Sequence, residues 1–586
     1  MALVAASMSS VPAQSHRSRS GVSSWHSVCG VAGLWLALIA LAFWPALAGG
    51  PVYDDRVNFQ LNEALREGRF FDLCTQPFFL EHLGYWRPAA SVAMAGAYSL
   101  GGLLGVHLLA LGLHAAAAIV AHGIARRVCG DARLACLAAT WFALHPVQVE
   151  SVAWASAVPE PLCGWFSLLA VRAALRWRDR AEGRWPWGMA GWLLAALLAK
   201  EGGITVYPLV LALLAVMTPR LPRPAWLRLA IAGAIPIGLW LLLRWLVLTK
   251  PFGLQVEADR VAWSTLGGEF AQMIVRPLLL LVAPHPLLPL HSLQQSLGGS
   301  AVLCALVWLL ALGALAVACA VAVTRGALPV RLGAVFLVVP LLLPAVRYQT
   351  LGDHPIAERY LYLPAFGFAL CLAHALRRRP WLLAGLLLLP LGLTRVQCRV
   401  WSDQHSFVTH CADQLPGYPT AHILLGNYHL TRAQSGMVGE LPLARAAYGR
   451  ALSLAVEPRS GSARRQRAAA LVGDAWCQLL AWQHCGPREA EQSAAQFRAA
   501  LACDDRAVSA WVGLGVASAL ATRFDDAEAA LQRALSLDER CPEAWFNLGC
   551  LREDTGRRAA ALESFQRALR LDPGLSIAAV RIEQLR

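Results

Sequence analysis

The sequence predicts an all-α protein in two parts, a polytopic membrane domain followed by an α-solenoid. Three observations predict it. The 586 residues are 57% hydrophobic and only 15% charged, where a soluble domain carries about 25% charged residues. Apolar runs of membrane-crossing length recur from about residue 31 to residue 394, with arginines in every second connection. The last third abandons that pattern for a repeat of 34 residues. A net charge of +14 would otherwise suggest a nucleic-acid partner. Much of the arginine excess lies between apolar segments, where membrane topology accounts for it, so no nucleic acid is expected.

Residues 1–30 are polar, basic and Ser-rich at their start (His16, Arg17, Arg19), and are expected to be a disordered cytoplasmic N-terminus. The apolar run from Val31 to Leu47 ends in "ALAGG", which resembles a signal-peptide cleavage site. A retained anchor is the preferred reading, because it delivers "YDD" to the far membrane face. A spanning helix needs about 20 mostly apolar residues. Candidates fall near 31–48, 106–125, 133–147, 160–176, 186–200, 203–217, 226–248, 300–323, 331–347, 360–376 and 380–394, about 11 transmembrane helices within a 31–394 domain. Arg126/Arg127, the cluster Arg172–Arg184, Arg220/Arg223/Arg228, Arg325/Arg331 and Arg377–Arg379 then share one cytoplasmic side. Two further apolar stretches, 88–104 and the Pro-rich 271–292, break the parity as spans. They read as interfacial or re-entrant pieces of the outer face. An odd number of spans puts everything after about residue 395 outside, in a periplasm or an endoplasmic reticulum lumen.

After an expected linker at 395–417, the segment 506–539 aligns with 540–573 without a gap. Trp511 matches Trp545, Leu514-Gly515 matches Leu548-Gly549, Ala527 matches Ala561, Leu531 matches Phe565, and Asp538 matches Asp572. Period and small/large pattern are those of tetratricopeptide repeats, in which Gly and Ala let paired helices approach. Degenerate copies occupy 418–458, with an insertion near 434–441, and 468–505. The exoplasmic repeat domain is therefore 418–586, and a packing role is the plain reading of its Trp and Leu stripe. The fifteen cysteines form no CxxC metal pattern. On the exoplasmic side, Cys398, Cys411, Cys477, Cys485, Cys503, Cys541 and Cys550 are available for disulfides.

The outer-face connections hold the ionisable residues. Asp54 and Asp55 alone would suit a helix cap or a wet turn. Others gather with them: His145 and Glu150 in "HPVQVES", Lys200 and Glu201 in a very short connection, and Asp353, His354, Glu358 and Arg359 in "DHPIAERY". Ionisable groups at that depth are costly and mark function. An acidic pair ringed by cations suits transfer of a sugar from a lipid phosphate. The phosphate leaves without a general acid once Arg87, Lys200, His354 and Arg359 neutralise it. A carboxylate, Asp54 or Asp55, takes the proton of the incoming hydroxyl, and single displacement inverts the anomeric carbon. Neither a G-x-x-x-x-G-K-[ST] loop nor a dinucleotide fingerprint is present, which argues against a nucleotide-consuming pump. Two carboxylates suit a hard cation, but no full ligand set is visible, so no metal and no cofactor is assigned.

The order of "YDD", "YWRPAAS", "HPVQVESVAW", "LLAKEGGITVYP" and "ERYLYLPAFGF", followed by the repeats, resembles the transmembrane and tetratricopeptide-repeat O-mannosyltransferases and their bacterial relatives, among the GT-C glycosyltransferases. The resemblance runs from about residue 31 to the end. It implies a GT-C-type membrane domain, Asp54 and Asp55 as the catalytic acidic pair, a polyprenyl-phosphate-mannose donor as co-substrate, and a protein or glycan hydroxyl as acceptor. His145, Glu150, Glu160, Glu201 and Glu358 are the expected polar support. The sequence departs from the family after "HPVQVESVAW": Val158, Pro159 and Glu160 stand where a basic residue and an Asp are usual. Glu160 can replace the Asp, but the basic residue has no replacement. A second class is compatible with the same chain, a non-catalytic membrane scaffold whose repeats recruit assembly partners and whose function would be indifferent to Asp54 and Asp55. A lipid-linked sugar transporter is a third, but it would want charges along the span interiors, where this chain has few.

Overall fold

A computed structural model describes residues 20–78, 84–180, 183–217, 220–248, 263–291, 293, 300–348, 354–455, 461–481 and 487–586. Cys485, Asp353 and residues 1–19 of the expected N-terminal tail lie outside that set. The described residues are mostly helical and form no strand; an isolated bridge pairs His291 with Ile356.

Every one of the eleven apolar segments forms helix, yet among the described residues only five helices are long and apolar enough to cross a membrane by length and composition. They are Pro88–Cys129, Arg223–Val247, Ala301–Arg325, Leu328–Val346 and Pro380–Val400. Others stop short. Ala132–Leu144 and Trp187–Ala199 are 13 residues each, about 20 Å of helix against a hydrocarbon core of about 30 Å. Both end where a polar connection begins, at His145 and at Lys200. The spans read from hydropathy are thus shortened where the chain turns polar to build a cavity.

Two boundaries differ from the sequence reading. Residues 20–30 are not a free tail but the first turns of the helix Ser20–Leu47. The stretch 88–104 stays apart from the next span: within Pro88–Cys129, Gly101 and Gly102 leave helical geometry and divide the segment into two helices across a kink. Gly102 takes φ +57°, a conformation that costs a side chain but not glycine. Gly130, also left-handed, ends the second helix. Asp131 then caps Ala132–Leu144 by accepting from the amides of Arg133 and Leu134. Finally, the expected linker 395–417 is largely helical, in Leu388–Val400 and Gln404–Gln414. Trp401, Phe407, Val408 and Cys411 are buried in the same hydrophobic core as the apolar half, so the join is a packed one.

Beyond it, helices pair antiparallel: Pro419–Gln434 with Leu441–Leu454, Gly461–Ala481 with Pro487–Cys503, Val508–Leu520 with Phe524–Leu537, Pro542–Asp554 with Arg558–Leu571. The insertion near 434–441 is a single 3-10 turn, Val438–Glu440. The repeat is visible in hydrogen bonds. Trp511 Nε1 donates to the Asp505 carbonyl and Trp545 Nε1 to the Glu539 carbonyl, both at 2.8 Å. Asp504, Asp538 and Asp572, each 34 residues apart, accept from the amide two residues on, at 3.1, 3.0 and 2.9 Å. Gly549 has no room for a side chain, since a Cβ there would lie 2.7 Å from Phe565. The described cysteines are all free thiols. Truncating the fully buried Phe565 is expected to cost about 3–5 kcal/mol; hydrogen exchange in the full chain should show Phe565→Ala loosening the 542–571 pair ahead of the membrane half.

Candidate active site

The loop that leaves Ser20–Leu47 carries the acidic pair, and the two aspartates point to different places. Asp55 is 1% exposed. Its Oδ2 accepts from the Val52 amide at 3.0 Å, and its Oδ1 accepts from the Ser156 amide at 2.9 Å and from the Ser156 hydroxyl. Asn58 Nδ2 donates to that same hydroxyl at 2.9 Å. Asp55 therefore staples the loop to the turn Ala155–Ala157. Asp54 faces a cavity of about 450 Å³. Burial pushes both carboxyls up to about 6; Arg359 opposes the rise at Asp54, and the hydrogen bonds from Ser156 and Val52 oppose it at Asp55.

Arg87, Glu160, Lys200, Glu201 and Arg359 line the cavity with Asp54, though they come from four separate connections. Each cation meets a carboxylate from another segment. Arg87 holds Glu201 Oε2 through Nε at 2.9 Å and Nη2 at 2.8 Å. Lys200 pairs with Glu160, and Arg359 with Glu150. Glu150 lies beneath the cavity, 1% exposed, and its Oε2 also accepts the Arg359 amide at 2.9 Å. Burial raises the Glu201 carboxyl, but Arg87 and Arg244 outweigh it and hold it below the ordinary glutamate value. Aromatic rings brace the cations: Tyr85 stacks on Arg87 at 4.5 Å, and Tyr360 on Arg359 at 5.5 Å. One part of the wall is apolar, from Pro340, Leu343, Pro344 and Leu363, with Arg347 beside it, and Asn58, Ser167 and Thr205 add polar groups elsewhere.

Besides Asp55 and Glu150, three further expected residues stand outside this lining. His145 caps the turn Pro146–Gln148, with Nε2 3.0 Å from the Leu281 carbonyl. Glu358 accepts the Leu288 amide at 2.6 Å and faces His291; burial and then the charge of Glu150 raise its carboxyl well above the ordinary value. His354 packs edge-on against Tyr418 at 5.2 Å, at the start of the repeats. Sequence reasoning passed over Ser156, Tyr85, Trp154, Tyr360 and Arg347, all of which line the cavity, and Arg244, which backs Glu201 from 3.7 Å. Arg244 had a signal, an arginine at the far end of the long apolar stretch that follows Arg228 in one helix. Ser156 had none. Among the described residues no three His, Cys, Asp or Glu side chains converge as a metal site would require.

With the geometry in view, comparison with known proteins adds information on the repeats. A tetratricopeptide-repeat family matches residues 521–576. No curated protein matches the chain. Among solved structures the chain is similar to TTC0263, a tetratricopeptide-repeat protein of Thermus thermophilus, at 23% identity over 34% of this chain and 95% of that one, with a TM-score of 0.24. It is similar to YrrB, a tetratricopeptide-repeat protein described as having an unusual peptide-binding site, at 22% identity over 30% of this chain and 81% of that one, TM-score 0.21. MamA matches at 18% identity over 28% of this chain and 80% of that one, TM-score 0.21.

The pairing predicts a cost for unbalancing the site. Glu201→Gln leaves Arg87 and Arg244 buried without their carboxylate, at about 3–5 kcal/mol. Thermal unfolding in detergent should show the loss, and removing Arg87 as well should recover part of it. The chain thus carries tetratricopeptide repeats behind a helical, largely apolar half that holds a cavity lined by Asp54 and three carboxylate-paired cations.

Proposed function

We propose that the chain is an integral, multi-pass membrane glycosyltransferase of the GT-C type, an O-mannosyltransferase-like enzyme. It moves a sugar, mannose in this reading, from a polyprenyl-phosphate donor to a protein or glycan hydroxyl on the exoplasmic face, with inversion. The observation that carries the reading is one cavity in which Asp54 faces Arg87, Lys200 and Arg359 beside an apolar wall. An amphiphilic phosphate ester suits those surroundings: the cations meet its phosphate, and Leu343, Pro344 and Leu363 meet the start of its chain. Repeats anchored at the mouth would hold the acceptor.

The chemistry asked of these residues is modest. The acceptor oxygen attacks the anomeric carbon while its proton passes to Asp54. The bond from that carbon to the phosphate oxygen breaks, and the electron pair leaves on the phosphate. Arg87, Lys200 and Arg359 stabilise the growing charge, and in a water-poor cavity such fixed charges count for more than in solution. Donor binding must share these cations with Glu201, Glu160 and Glu150, which keep the empty site close to neutral. Asp55 has its oxygens committed to Val52 and Ser156, so it positions the loop, and Asp54 is the base.

Labelled sugar transfer from polyprenyl-phosphate-mannose in membranes tests the assignment. Asp54→Asn is expected to lose about 10²–10⁴-fold in rate with insertion intact, and Asp55→Asn to lose less while destabilising the loop. Full transfer by the Asp54 variant would end the reading of Asp54 as base. The pH profile gives a second check. A base with its carboxyl at about 6 must be ionised to work, so the rate is level above neutrality and falls about tenfold per unit on the acid side. An ordinary aspartate would keep its rate down to about pH 4.

A further inference from the structure

The repeats return at their far end to the same short loop that the segment ahead of them contacts. Ahead of them, within 395–417, the Ser402 carbonyl accepts from the Gly50 amide at 2.9 Å. The Tyr53 amide donates to Gln404 Oε1 at 2.8 Å, and the Tyr53 ring packs against Phe407 at 5.6 Å and Trp154 at 5.8 Å. At their far end, Asp572 in the turn after Arg558–Leu571 reaches Arg56 at 3.6 Å. The segment between these feet, Gly50 to Arg56, contains Asp54.

Tyr53 is the reason this matters. Its φ is +56°, a left-handed conformation that a side chain adopts only under constraint. The constraint comes from the C-terminal arm, since Gln404 takes its amide and Phe407 takes one face of its ring. Asp55 then fixes the loop from the other side, through Ser156. Asp54 lies between a strained residue held by the arm and a stapled residue held by the membrane half.

The two feet are unequal. The near one is backed by Trp401, Phe407, Val408 and Cys411 in the main core. The far one is a single ion pair whose arginine is half exposed, and such pairs are weak. One end of the arm is built into the core, while the other is held by a single weak pair.

We propose that the repeat arm sets the conformation of the catalytic loop, with Gln404 as a positioning residue for Asp54 and Asp572 as a releasable second hold. The proposal rests on Asp54 acting as base. It makes the repeats part of the catalytic apparatus rather than a tethered acceptor holder.

Gln404→Met removes the acceptor for the Tyr53 amide at nearly constant shape, whereas Gln404→Glu retains it. Two readouts on the full chain in detergent or membranes separate the claims. In hydrogen exchange, the Tyr53 amide should exchange faster in Gln404→Met and at the native rate in Gln404→Glu. In sugar transfer, Gln404→Met should lower kcat about three- to tenfold, the worth of one hydrogen bond, at unchanged KM, with Gln404→Glu near native. Arg56→Glu should speed exchange across 52–58, and adding Asp572→Arg should restore it. Native exchange and native kcat in Gln404→Met would overturn the proposal. Faster exchange with native kcat would also overturn it, leaving a purely structural contact. If the unaltered protein transfers no sugar, the enzymatic reading fails, while the exchange data still decide whether the arm grips the loop.

Discussion

A charge taken out of water must be met by an opposite charge, and the apolar half is organised around that constraint. Arg87, Lys200 and Arg359 sit where water is scarce, and each has a carboxylate drawn from another segment: Glu201, Glu160 and Glu150. Losing one partner of such a pair costs more than the pair contributes, so the pairs specify more than they stabilise. They join residues 87 with 201, 160 with 200, and 150 with 359, and so force four connections to converge. The short helices Ala132–Leu144 and Trp187–Ala199 then make sense. They end early because their continuations are committed to this polar centre.

Asp54 is the exception to the pairing, and that is what makes it informative. Its neighbour Asp55 spends its oxygens on the Val52 amide and on Ser156, whereas Asp54 opens on the cavity with its carboxyl raised to about 6 by burial. Identical side chains, adjacent in sequence, are separated in role by what each oxygen touches. Two residues of the same type can divide support and chemistry when the loop turns one in and one out.

Much of this was legible in the sequence. The repeats were, because Trp511/Trp545 and Asp538/Asp572 recur at fixed spacing, and each pair repeats the same local hydrogen bond. The positions of the apolar helices were too, because hydropathy reports where water is excluded. Their lengths were not, since a helix ending at His145 or Lys200 is decided by partners far along the chain. Glu160, Lys200, Glu201 and Arg359 were placed in the cavity region because charge in an apolar chain is conspicuous. Ser156 was invisible, because one hydroxyl among many small residues carries no signal until Asp55 is found beside it. His354 misled in the other direction: it shares a motif with Arg359 but turns to Tyr418 at the repeats. Proximity in sequence placed it near the site, and side-chain direction took it away.

The join between the halves shows how much function can hide in a segment that reads as connection. Residues 395–417 lack repeat pattern and span pattern, which is why a linker was expected. They are nevertheless packed on two sides, against the core through Trp401, Phe407 and Cys411, and against the loop through Ser402 and Gln404. Phe407, Val408, Cys411 and Ala412 form a buried stripe on one face of Gln404–Gln414, too short to read as a span or as a repeat. A free linker would let the repeats move independently of Asp54. A packed one ties the segment ahead of them to Tyr53 through Gln404 and Phe407, and under the proposed function an acceptor held by the repeats would not be energetically separate from the geometry around Asp54.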